Sequence, residues 1–178
     1  MGFTDAIRTC FRKYATFSGR AARPEFWWFA LFCFLGSIAA GIVDSALFGT
    51  GSFQTHTGPG RYGFEAHDNG PLGALFALAT FLPSLAAGWR RMHDTGRSGL
   101  YLLYPFIVMV GISMYVFLAG GFPYMGGGGP ELTGLAGVIL GLAVLVLILS
   151  PFLVLWWLTR PSQPFPNEYG PNPSEVSP

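Results

Sequence analysis

At 178 residues the chain is long enough for one small unit rather than several domains. Charged residues make up 11% and apolar residues 51%, against about a quarter charged in an ordinary soluble domain, so too little polar sequence remains to wrap a water-facing surface. A net charge of +1 excludes global attraction to nucleic acid, and Cys10 and Cys33 supply no disulfide framework and read as small hydrophobes.

The composition predicts an all-α membrane protein with four transmembrane helices and a short N-terminal amphipathic helix in the interface. In residues 1–25, Phe3, Ile7, Cys10, Phe11 and Tyr14 recur at helical spacing, with Asp5, Arg8 and Arg12 opposite. Such a helix lies in the headgroup layer, or docks on a cytoplasmic loop. The first apolar run, Phe26–Phe48, starts too late and runs too long for a cleavable signal, so it is expected to stay as an anchor. Its one charge, Asp44, falls near the far interface, which argues against a proton relay. Gly49–Pro71 lacks an apolar period and reads as an irregular loop. His56, Glu65, His67 and Asp68 there are spread too widely among glycines to assign a metal.

The second span, Leu72–Trp89, contains Pro83, which frees the Ala79 carbonyl and should kink the helix. A loop of about ten residues leads to the third span, Leu100–Gly120. After a second irregular loop with four consecutive glycines comes the fourth, Leu132–Leu158, where Pro151 frees the Leu147 carbonyl. Ser37-x-x-x-Gly41 and Gly137-x-x-x-Gly141 would permit close helix approach. Each span has roughly the 20 residues needed to cross a ~30 Å core. Residues 26–158 thus form the membrane domain, and residues 159–178 a Pro-rich tail expected to be extended.

Nine of the ten Lys and Arg residues fall on one face of these spans, with Arg61 alone on the other. The positive-inside rule puts both termini and the middle loop in the cytoplasm. Trp27, Trp28, Trp89, Trp156 and Trp157 all fall at that boundary, as half of an aromatic belt.

The strings FSGRAARPEFWWFALF (17–32), AAGWRRMHDTGRSG (86–99) and PNEYGPNP (166–173) together resemble the bacterial inner-membrane family known as domain of unknown function 805. The pattern covers nearly the whole chain in order, with Glu168 a departure where the family carries a basic residue. The resemblance implies a multi-pass inner-membrane topology and no established reaction.

Arg20, Arg23, Arg90, Arg91 and Arg97 are the candidates for binding a lipid headgroup or anion, since each basic residue gains about 1 kcal/mol near anionic lipid. Glu25, His93 and Asp94 are their expected structural partners. His93–Asp94 could do acid/base work, but adjacent side chains seldom share a centre and no nucleophile is positioned, so no catalytic residue is assigned. No Walker loop, dinucleotide fingerprint, HExxH or haem motif is present, and no cofactor or metal is expected. Two readings stand. One is a non-catalytic packing, accessory-subunit or lipid-interacting component, partnered by anionic lipid, other membrane subunits or further copies of itself, with no nucleic acid. The alternative is a small oligomeric transporter or channel hinged at Pro83 and Pro151. An enzyme acting on a phosphorylated headgroup through His93 and Asp94 has least support.

Overall fold

A computed structural model describes residues 1–49, 53–58, 61–66, 70–120 and 134–173. The helices are α1 (Phe3–Arg12), α2 (Arg23–Phe48), α3 (Leu72–Asp94), α4 (Tyr104–Gly120) and α5 (Gly134–Thr159). A 3-10 turn, Gly99–Leu103, leads into α4. Among the described residues, four helical segments are long and apolar enough to cross a membrane: α2, α3, the 3-10 turn with α4, and α5. Their lengths follow from uninterrupted Leu, Phe, Val and Ala, whose side chains suit both the helix and hydrocarbon.

The loop after α2 departs from expectation. It contains an antiparallel hairpin, β1 (Phe53–Gly58) and β2 (Arg61–Ala66), with Phe53 opposite Ala66 and Gly58 opposite Arg61. The signal was a period of two: Thr55 and Thr57 on one strand, Tyr62 and Phe64 on the other, all residue types that suit a pleated strand. His67 and Asp68 lie outside the described residues.

The chain divides into two compact units. The first comprises Met1–Thr16 and Pro24–Ala87. Here α1 lays its apolar side on α2: Cys10, Phe29 and Ala87 form a buried core, flanked by Ile7, Phe26, Phe32 and Cys33. Phe11 meets Phe29 and Phe32 edge-on at 5.6 and 6.0 Å, and Phe3 meets Trp28 at 5.9 Å. Arg8 and Arg12 stay exposed on the other side of α1.

Polar groups fasten α3 both to α2 and to the segment after α1. The buried Asp44 carboxylate accepts from the Leu72 and Gly73 amides at 3.0 and 2.7 Å, so α2 caps the first turn of α3 across the intervening loop. Gly70 leaves room for it, since a Cβ there would overlap the carboxylate. Deeper in α3, the Ala79 carbonyl freed by Pro83 accepts from the Tyr14 hydroxyl at 2.9 Å. The proline would otherwise leave an unsatisfied carbonyl in an apolar setting.

The second unit comprises Phe17–Arg23 and the chain from Gly88 onward. Here α4 packs along α5. The Leu147 carbonyl freed by Pro151 accepts from Ser150 Oγ at 2.8 Å, the same solution by a local hydroxyl.

Candidate functional site

α3 does not stop at Trp89, where charge begins, but continues to Asp94, so Arg90, Arg91, His93 and Asp94 are helical rather than on a loop. Its end is set by Gly96, at φ 72°. The Arg97 amide returns to the Met92 carbonyl and the Gly96 amide to that of His93, both at 3.0 Å. This paired closure needs a left-handed residue just past the helix, which glycine adopts without strain.

That last turn carries a fully buried carboxylate. Asp94 Oδ1 accepts from Arg20 Nε at 3.0 Å, and Arg20 Nη2 completes the ion pair at the same distance. Oδ2 accepts from Arg91 Nη1, one helical turn back, and from Ser162 Oγ in the tail. Three hydrogen bonds and two guanidinium charges thus converge on one carboxylate. The side chains of Arg20, Arg91 and Asp94 are at most 1% exposed. Buried charge is tolerated here because each ion is paired and hydrogen-bonded.

The remaining arginine donors hold backbone. Arg20 Nη1 reaches the carbonyls of Phe165 and Gly170 at 3.0 and 3.3 Å, and Nη2 that of Gln163 at 2.7 Å. Arg91 Nε reaches the Leu158 carbonyl at 3.0 Å, its Nη2 reaches that of Arg160, and Arg23 Nε adds a 3.1 Å bond to the same Arg160 oxygen. The last carbonyls of a helix lack internal donors and carry partial negative charge. Arg91 and Arg23 supply both hydrogen bond and countercharge to the end of α5.

The described part of the tail, to Pro173, is therefore not extended. Its backbone closes around Arg20, the Gln163 amide bonds the Asp94 carbonyl at 3.0 Å, and Asn167 Nδ2 bonds the His93 carbonyl at 2.9 Å. Proline removes donors from this segment and leaves carbonyls in excess, which a guanidinium with five N–H groups can satisfy. Asn167 also turns the chain, taking the Tyr169 amide on its side-chain oxygen at 3.0 Å, with Gly170 at φ 132°.

His93 has different partners from Asp94. Its Nδ1 meets the Gly19 carbonyl at 3.1 Å, so that nitrogen carries the proton. Its ring stacks on Tyr169 at 3.8 Å and 6°. Burial pushes the Tyr169 phenol up from its usual range, aided by its hydrogen bond to Glu168 and by that residue's charge.

The other candidates have surroundings of their own. Arg90 is buried, and its carbonyl accepts from the Ala21 amide at 3.0 Å. Arg97 is half-buried, with its guanidinium 5.3 Å from the centre of the Trp157 ring. Glu25 belongs to the first unit, buried at the start of α2 with its carbonyl 4.0 Å from Cys10 Sγ. Trp89 is not simply a belt residue: its half-buried ring lies against Gly99, where any Cβ would overlap it, and takes Phe17 edge-on at 5.6 Å.

Sequence reasoning missed Ser162, Gln163 and Asn167. The available signal was PNEYGPNP itself, whose Asn and Gly are turn formers rather than features of an extended tail.

Four membrane-length helices, and a polar centre built from ion pairs and helix-end carbonyls, define an integral membrane protein. The family described as a protein of unknown function, DUF805, matches residues 14–171, and the chain belongs to it. It is 35% identical over 100 residues to inner membrane protein YhaI of Escherichia coli (strain K12), covering 56% of this chain and 70% of that one. It is 34% identical over 112 residues to inner membrane protein YhaH of the same organism, covering 61% and 81% respectively. No solved structure matches the chain.

Proposed function

We propose that this protein is a non-catalytic component of the bacterial inner membrane, a packing or accessory subunit that contacts anionic lipid. Both termini and the arginine–aspartate site face the cytoplasm. The inner-membrane relatives support the compartment, and nine of ten basic residues on one side support the orientation.

The observation that carries the non-catalytic reading is the burial of Asp94 among fixed donors. A carboxylate that is fully buried and accepts from Arg20, Arg91 and Ser162 is committed to fixed donors and is not open to a substrate. The arrangement fastens the segment before α2, the end of α3, the end of α5 and the tail to one another. A fastening of this kind serves assembly: it fixes the cytoplasmic surface that partners meet. Arg20 and Arg91 are internal to it, so contact with headgroups falls to the outward-facing Arg8, Arg12, Arg23, Arg97 and Arg160.

Purification in native lipid, followed by mass spectrometry, is the direct experiment. Stoichiometric co-purifying membrane subunits are the expected result, with no solute flux from proteoliposomes. Specific flux would replace this reading with a transporter. Reporter fusions after Trp89 and at the tail are expected to read cytoplasmic, and an external signal would overturn the orientation.

A further inference from the structure

We propose that α4 and α5 form a site for one anionic phospholipid, with an acyl chain along the groove between them and the phosphate at Arg97. The proposal rests on the reading above for orientation and lipid contact, and adds a defined place.

Two facing stripes build the groove. On α4, Tyr104, Val108, Gly111 and Tyr115 recur at three or four residues, so they share a face. On α5, Ile139, Ala143, Val146, Ser150 and Leu153 do the same, and Trp157 is the next position on that stripe. Between them lie an apolar cavity of about 400 Å³ beside Tyr104, Leu149 and Leu153, and a second of about 370 Å³ beside Gly111, Tyr115 and Ala143. Val146 lines both, so the two lie next to each other along the groove. A Cβ on Gly111 would meet nothing within 4 Å.

The two ends differ in chemistry. At the outer end the Tyr115 hydroxyl bonds the Ala136 carbonyl at 3.1 Å and ties the helices together. At the other end Trp157 takes Tyr101 edge-on at 5.2 Å and Tyr104 at 6.4 Å, and carries the Arg97 guanidinium over its ring. Charge complementarity at that mouth selects an anionic headgroup. Length selects an acyl chain. Tyr104 to Tyr115 spans roughly 16 Å at 1.5 Å per residue, close to half of a ~30 Å hydrocarbon core. A groove one leaflet deep with a cation at the headgroup end matches a phospholipid.

Native mass spectrometry of the full chain in neutral detergent tests this, with dioleoyl phosphatidylglycerol and dioleoyl phosphatidylcholine as probes. Wild type is expected to retain one phosphatidylglycerol in preference to phosphatidylcholine. Arg97→Gln should weaken phosphatidylglycerol retention about fivefold, with phosphatidylcholine unaffected, and Arg97→Lys should largely restore it. Gly111→Leu, built into open space, should weaken both lipids alike. Equal retention of the two lipids by wild type, an unchanged Gly111→Leu, or an Arg97→Lys as weak as Arg97→Gln would each overturn the site. Displacement of the lipid by inorganic phosphate would overturn the choice of source. Flux from reconstituted wild type would sink the non-catalytic reading whatever the lipid result, whereas lost selectivity would sink only the groove.

Discussion

Replacing Asp94 with Ala removes the one acid that Arg20 and Arg91 share. Both guanidiniums are at most 1% exposed, so neither can recover water without opening the structure. Breaking a buried ion pair from one side typically costs about 3–5 kcal/mol, because the partner charge stays buried and uncompensated. Here two cations lose their acid at once, which places the variant at the upper part of that range. Ser162 loses its acceptor as well, while the tail keeps its backbone bonds to Arg20 and to the Asp94 carbonyl, the Asn167 bond to His93 and the Tyr169 stack. Against a total stability of about 5–15 kcal/mol, the loss is large enough to lower membrane abundance. At about 2–4 °C per kcal/mol, the unfolding midpoint in detergent should fall by on the order of 10 °C. Asp94→Asn keeps an acceptor oxygen without the charge and should fall between. Arg20→Ala combined with Asp94→Ala should cost much less than the sum of the two, since each removes the other's partner. The measurement is thermal unfolding of purified protein, with quantitative immunoblotting of membranes. An Asp94→Ala midpoint within about 1 °C of wild type, at normal abundance, would refute the reasoning.

Other perturbations probe separate elements. Asp44→Ala should cost about 1–2 kcal/mol by uncapping α3, and Asp44→Asn much less; equal thermal midpoints for the two would show that the cap does not matter. Gly99→Ala drives a methyl into the Trp89 ring and should destabilise by about 1–3 kcal/mol, whereas Gly111→Ala enters open space and should stay near wild type. Reversal of that order in a thermal shift assay would contradict the packing. His93→Asn can keep one bond to Gly19 but loses the Tyr169 stack, so a loss of about 0.5–1.5 kcal/mol with function intact is expected. Normal stability with abolished function would instead make His93 a chemical group. Tyr14→Phe should cost about 1 kcal/mol by stranding the Ala79 carbonyl, checked by unfolding in detergent.

The spans and the freed carbonyls at Ala79 and Leu147 could be read from the chain alone. Apolar length reports the solvent, which here is lipid, and a proline's missing donor is a covalent fact independent of the fold. The sequence also identified Arg20, Arg91 and Asp94 as residues of interest. It left the two arginines indistinguishable from Arg97 and Arg23, since composition records charge and not what each charge meets. Tertiary structure made that distinction. It extended α3 past Trp89 so that Asp94 stands on a helix end, and brought a tail rich in undonated carbonyls around Arg20. It set Asp44 across a loop onto amides 28 and 29 residues away, and put Arg97 on an indole instead of a carboxylate. Each of these joins groups far apart in the chain. Local periodicity carries no information about such pairs, because a guanidinium or a carbonyl accepts any complementary partner, and only folding decides which one arrives.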